Sequence, residues 1–125
     1  MRILVCEDEE ILLTSLEFRL RKNGFSVITA KDGKQALQMV EDEKPDLLVA
    51  DIMMPHLTGL QLVDYMRNDL DLDTPVIIIS ALEEEDTVLE AFRCGANDFI
   101  AKPFKPTELV LRIKKIFQER QLAES

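Results

Sequence analysis

The chain has 125 residues, 46% of them hydrophobic, and 24 acids against 15 lysines and arginines give a formal charge of -9. That length suits one domain, and that apolar fraction fills a core without disulfides or a structural metal. The acidic total excludes a domain that itself grips nucleic acid, which requires a basic face, and no apolar stretch is long enough to span a bilayer.

The opening MRILVC enters a strand pattern at once, without the h-region and cleavage site of an export signal, so a cytoplasmic protein is expected. The first apolar run is Arg2–Cys6. Leu12, Leu16 and Leu20 then recur at i+4 as the inner stripe of a first helix, which Asn23-Gly24 ends because Gly24 can take a positive φ. The second run, Phe25–Ala30, alternates apolar with polar, as a strand near a sheet edge does. Ala36, Leu37 and Val40 mark a second helix, stopped before Pro45. Asp46–Ala50 is the third run, continuously apolar in LLVA like a strand buried on both faces. Thr58 can cap a third helix carrying Leu62, Val63 and Met66 inward. Pro75–Ile79 is the fourth run. A fourth helix places Val88, Ala91 and Phe92 inward and closes at Cys94-Gly95. Asp98–Ala101 is the fifth run, and a fifth helix starts near Pro106-Thr107 with Leu109, Ile113, Ile116 and Phe117 as its stripe. Cys6 and Cys94 have no metal-ligand spacing and are expected as small buried apolar residues.

Five strands alternating with five helices predict an α/β fold, a doubly wound parallel sheet with helices on both faces. Residues 1–120 are expected to form the domain, and 121–125 a polar tail or the start of a linker. In such sheets ligands bind beyond the carboxyl ends of the strands. Glu7, Asp8 and Glu9 follow the first run, Asp51 the third, Ser80 the fourth, and Lys102-Pro103 the fifth. Each has a plainer explanation: acids at a helix start, a turn aspartate, a helix-capping serine, a solvated loop lysine. Their shared position at successive strand ends favours a site. Clustered carboxylates repel one another without a cation, and hard oxygen donors select Mg²⁺ or Mn²⁺. A carboxylate can attack phosphorus, and phosphoryl transfer mainly needs alignment and neutralised equatorial oxygens. The cation would take one oxygen, Lys102 a second, and the Ser80 hydroxyl with a backbone N–H the third.

The segments ILVCEDEE, PDLLVADIMMPHLTGL, PVIIISA and GANDFIAKPF, in that spacing, resemble the response-regulator receiver domains of two-component signalling over essentially the full length. The resemblance implies a flavodoxin-like (βα)5 fold with five parallel strands in order 2-1-3-4-5. It implies Asp51 as phosphoacceptor from a histidine kinase or histidine phosphotransfer protein, with Asp8 and Glu7 in the acidic pocket. The Met53 backbone carbonyl would complete the ligands of the cation. Ser80 matches the switch hydroxyl, Phe99 the switch aromatic, and Lys102 the family lysine, whose bond to Pro103 resembles a cis peptide.

Three departures bear on mechanism. Glu7 stands where many relatives carry aspartate, so Asp8 is expected as the direct cation ligand and Glu7 to reach it through water or to turn aside. Phe99 lacks a tyrosine hydroxyl but keeps the ring volume that filling the space vacated by Ser80 requires; the alternative is a permanent core position. Met53 and Leu82, two residues beyond Asp51 and Ser80, are apolar and cannot orient a water, so a long-lived phosphoryl group is expected. His56, between Pro55 and Gly59, is expected as a solvent-facing loop residue.

Output is expected through the fourth helix, fifth strand and fifth helix. There Asp98, Glu108 and Arg112 resemble the charges by which winged-helix regulators form symmetric dimers, a plain solvated face being the alternative. Glu83, Glu84, Glu85 and Asp86 leave the fourth helix without an early basic partner. The chain either stands alone or is the receiver portion of a longer regulator whose output domain lies elsewhere. Two enzyme or carrier classes fit less well. A haloacid-dehalogenase-like phosphatase wants a second acid where Met53 stands, and a flavodoxin phosphate loop wants Ser, Thr and Gly where EDEE stands. A degenerate receiver would have lost the acceptor, the lysine or the acidic pair, and none is lost here.

Overall fold

A computed structural model of the chain describes residues 1–124. Ten elements alternate: β1 Arg2–Cys6, α1 Glu10–Lys22, β2 Ser26–Ala30, α2 Gly33–Glu43, β3 Leu47–Asp51, α3 Gly59–Asn68, β4 Val76–Ser80, α4 Glu85–Cys94, β5 Asp98–Ala101 and α5 Pro106–Glu124. The strands form one parallel sheet in order β2-β1-β3-β4-β5, so the expected architecture stands. β2 lies at an edge, as its alternating sequence requires.

Strand alternation divides the core into two. Ile3, Val5, Leu47, Val49, Ile77 and Ile79 pack against Leu13, Leu16 and Leu20 of α1 and Leu109, Val110 and Ile113 of α5. The intervening residues Leu4, Cys6, Leu48, Ala50, Val76 and Ile78 meet Ala36 and Val40 of α2, Leu62, Val63 and Met66 of α3, and Ala91 of α4. Both faces of the three central strands are therefore dry, which is why their sequences are continuously apolar.

Local chemistry sets the helix ends. Gly24 and Gly95 take φ of 90° and 110°, the left-handed geometry that closes α1 and α4. Thr58 caps α3 in a full capping box: its hydroxyl accepts from the Gln61 amide, and the Gln61 side chain accepts from the Thr58 amide. Asp32, unmarked in the sequence, caps α2 by accepting from the Gln35 amide.

Five expectations need correction. β3 and β4 each run one residue further than the apolar pattern indicated, because Asp51 pairs with Ile79 and Ser80 with Ala101. Both polar residues thus end strands rather than follow them. In α1 the buried stripe is Leu13, Leu16 and Leu20, with Leu12 only half-buried. Phe92 does not face inward: it is 45% exposed, beside equally exposed Leu89, while the inner line of α4 runs through Ala91. Cys6 is fully buried, and burial pushes its thiol up, but Cys94 is only half-buried and its Sγ lies 3.6 Å from Glu90 Oε1. The segment expected as a polar tail continues α5 through Glu124; its last residue, Ser125, lies outside the described residues.

Candidate functional site

The carboxyl ends of β1, β3, β4 and β5 meet at one edge of the sheet. Backbone bonding carries the ladder just past the strands: the Glu7 amide donates to Ala30 O at 3.0 Å and the Lys102 amide to Ser80 O at 2.8 Å. These bonds aim Glu7 and Lys102 at Asp51 from strands that lie far apart in sequence. The Lys102 ammonium donates to both Glu7 Oε1 and Asp51 Oδ2. Asp51 Oδ1 accepts from the Met53 amide at 3.0 Å, and Ser80 Oγ accepts from the Leu82 amide at 2.9 Å. The Lys102-Pro103 peptide is cis, as the resemblance implied.

Glu7, Asp51 and Ser80 are the buried polar residues of the described chain, and Glu7 is fully enclosed. Burial pushes the Glu7 carboxyl up to about 7; the Lys102 hydrogen bond opposes this rise and Asp51 reinforces it. Burial works to lower the Lys102 ammonium, but hydrogen bonds from it to Asp51 and Glu7 outweigh that and hold it above its ordinary value. Asp8 is exposed at the rim. Glu7, Asp8 and Asp51 each offer one carboxylate oxygen, all within 4.8 Å of one another. Glu7 Oε2 is buried with no hydrogen-bond partner, an expensive state for a charged acceptor. Three hard oxygen donors, with one Glu7 oxygen left unpartnered, suit a divalent cation.

The structure thus brings Glu7, Asp8, Asp51 and Lys102 together, with Ser80 on the neighbouring strand end. Glu7 turns inward onto Lys102. Met53 and Leu82 border the site and are 62% and 43% exposed. Phe99 is half-buried, between the two states expected for it, and packs on the α2–α3–α4 side of the sheet. Strand alternation puts Ser80 on that same side, since Ile78 pairs with Phe99 and Ser80 with Ala101. Asp98, Glu108 and Arg112 lie away from the pocket and pair internally: Arg112 donates to Asp98 Oδ1 at 2.8 Å and to Glu108 Oε1 at 2.9 Å. His56 is exposed, with φ of 71°.

Two glycines that sequence reasoning passed over shape the site. A Cβ on Gly59 would lie 2.3 Å from Asp51 O, and one on Gly33 would lie 2.2 Å from Leu57 O. Gly59 lets the start of α3 press on the backbone of Asp51, and Gly33 lets α2 press on the loop after it. Neither helical glycine has a positive φ, so nothing in local sequence marks them; the cause is a long-range close approach.

The profile described as "Response regulator receiver domain" matches residues 3–114. The alkaline phosphatase synthesis transcriptional regulatory protein PhoP of Bacillus subtilis is 39% identical over 98% of this chain and 50% of its own length. The transcriptional regulatory protein PrrA of Mycobacterium tuberculosis is 41% identical over 95% of this chain and 51% of its own. The chain spans about half the length of these curated relatives. Among solved structures, the receiver domain of the Francisella response regulator 1452 superposes with a TM-score of 0.91 at 32% identity, covering 95% of this chain and 98% of that one. A putative response regulator from Chloroflexus aurantiacus gives 0.85 at 34%, covering 92% and 95%. Profile, relatives and superposition agree over nearly the whole chain, which belongs to the response regulator receiver domain family.

Proposed function

We propose that this receiver domain is a phosphorylation-controlled switch, not a turnover enzyme, with Asp51 as its phosphoacceptor. The observation that carries this is the buried Asp51 carboxylate held by the Lys102 ammonium beside two further acids. The domain spans residues 1–120, and the end of α5 carries the chain beyond it through Glu124. The donor is a histidine kinase or histidine phosphotransfer protein: an Asp51 oxygen bonds to phosphorus while the P–N bond to the donor imidazole breaks, its electron pair returning to nitrogen. Asp8, Asp51 and the Met53 backbone carbonyl hold Mg²⁺ or Mn²⁺, and Glu7 borders the ion. When bound, the cation neutralises phosphoryl oxygens. Lys102 takes another oxygen. Ser80 gives its hydroxyl to a third, leaving the Leu82 amide, and Phe99 follows into the space. Their common sheet face supports that coupling. Output passes through α4, β5 and α5, with Asp98, Glu108 and Arg112 available for a phosphorylation-dependent homodimer. The half-length match to transcriptional regulators favours a second reading of the whole: the receiver portion of a longer DNA-binding regulator.

Incubation with acetyl phosphate and Mg²⁺ followed by intact mass tests the chemistry. One phosphoryl adduct is expected in the wild type and none in Asp51→Asn or without the cation. A wild type that accepts phosphate neither from acetyl phosphate nor from a cognate kinase would overturn the reading. The same time course reads adduct lifetime, which apolar Met53 and Leu82 should make long; loss within seconds would sink that part.

A further inference from the structure

Sulfur is distributed unequally over this fold. Met54 and Met66 are buried and Met39 packs against the same core, whereas Met53 is 62% exposed and Met1 66%. The exposure of Met53 is fixed by its neighbours. Ile52 and Met54 on either side are buried, and the Met53 amide donates to Asp51 Oδ1 at 3.0 Å, so its side chain is left in solvent beside the acceptor. Thiols ordinarily meet oxidants as thiolates, and both thiols here are poor competitors. Cys6 is fully enclosed, and burial pushes its thiol up. Cys94 is half-buried, and burial with the adjacent Glu90 carboxylate raises it too. Met1 precedes β1, at the end of the parallel sheet opposite Asp51. Among the described residues, Met53 is thus the accessible oxidisable sulfur at the acceptor.

We propose that Met53 is a redox modification site: peroxide converts its thioether to the sulfoxide, which shortens the life of the phosphoryl group on Asp51 and lets an oxidant reset the switch. The inference rests on Asp51 as phosphoacceptor and names a regulation of that site. The thioether sulfur attacks one oxygen of hydrogen peroxide. An S–O bond forms, the O–O bond breaks, and the departing hydroxide takes the proton from the transferred oxygen and leaves as water. Sulfur loses two electrons and peroxide gains them. A flexible apolar side chain thereby becomes a polar one that accepts hydrogen bonds. Reduced Met53 cannot orient a water, but the sulfoxide oxygen accepts from one and holds it near the phosphorus. The water oxygen then bonds to phosphorus while the bond from phosphorus to the Asp51 oxygen breaks, its electron pair returning to the carboxylate. Both water protons stay on the released phosphate.

The test treats the protein with hydrogen peroxide, removes the peroxide, and locates added oxygen by peptide mass mapping. Acetyl phosphate and Mg²⁺ then load Asp51, and intact mass follows loss of the adduct. Met53 and Met1 should oxidise before Met39, Met54 and Met66. The oxidised wild type should lose its adduct about three- to tenfold faster, the effect of one neutral hydrogen bond on a rate. Methionine sulfoxide reductase should restore the slow decay. Met53→Leu, which still oxidises at Met1, should decay at one rate before and after peroxide; circular dichroism checks its fold, and Met53→Val replaces it if it does not fold. Oxidation of Met53 no earlier than the buried methionines overturns the proposal. So does an unchanged or slower decay after oxidation, an equal acceleration in Met53→Leu, or a fast decay that the reductase does not reverse. An untreated wild type that takes no phosphoryl group from acetyl phosphate or a cognate kinase overturns the reading of Asp51 instead.

Discussion

Gly59 stands against the carbonyl of Asp51 with no space for a methyl group, and its amide donates to Ile52 O at 2.9 Å. A side chain there must push α3 away from the end of β3, and backbone cannot yield as a flexible side chain can. Gly59→Ala is expected to destabilise the fold by about 2–3 kcal/mol, measured by urea denaturation, and to slow adduct formation from acetyl phosphate. Unchanged stability would show that the start of α3 is not fixed to the backbone of Asp51. At this scale the charged residues of the pocket were legible, because Glu7, Asp8, Asp51 and Lys102 follow or end apolar runs. The inward turn of Glu7 was not legible. It depends on Lys102, which lies 95 residues away, and no local pattern encodes that partnership.

Elements were easier to read than their edges. Apolar runs locate strands because the sheet buries both faces, yet Asp51 and Ser80 are polar and still pair, so hydropathy ends each strand one residue early. The stripe of α4 failed for a related reason. Phe92 satisfies helical spacing as well as Ala91 does, but the sheet side takes Ala91 and leaves Phe92 with Leu89 on the outside. Periodicity finds a helix and cannot always choose its face. Caps were legible where the residue type is diagnostic, as at Thr58. The capping box of α3 holds the loop that follows Asp51 as well as the helix. Thr58→Ala should cost about 1 kcal/mol and lower the melting temperature by roughly 3 °C, read by calorimetry. A shift within error would mean that the Gln61 contacts replace the lost hydroxyl.

Across the whole molecule, the pocket and the proposed output face lie on different parts of the fold, joined by β5. Phe99 and Asp98 are neighbours on that strand, and Arg112 binds both Asp98 Oδ1 and, at 3.3 Å, Phe99 O. Movement of Phe99 would therefore disturb the Arg112 pairings directly. We expect the phosphorylated protein to self-associate in sedimentation velocity and Arg112→Ala to reduce that association by at least tenfold, while leaving adduct formation intact. A phosphorylated wild type that stays monomeric would exclude the symmetric dimer and leave heterologous partners as the readers of this face. The sheet order was legible through the family motifs, but the internal pairing of Arg112 was not, since the same three charges suit contacts within a chain or between two.

The Glu7–Lys102 pairing also has a temporal side. β1 forms the first part of the chain and Lys102 comes after β5, so a nascent or truncated polypeptide ending before Lys102 carries the acids without their resident counter-ion. Its sheet lacks the last strand and its acidic cluster repels itself. On the proposed reading, the pocket would gain its counter-ion only once β5 and Lys102 have joined the sheet, and phosphoryl transfer to Asp51 would then double as a report that synthesis and folding have finished. Cutting the chain between β4 and β5 is expected to give two fragments that are individually silent, and recovery of the adduct on mixing them would time their reassembly.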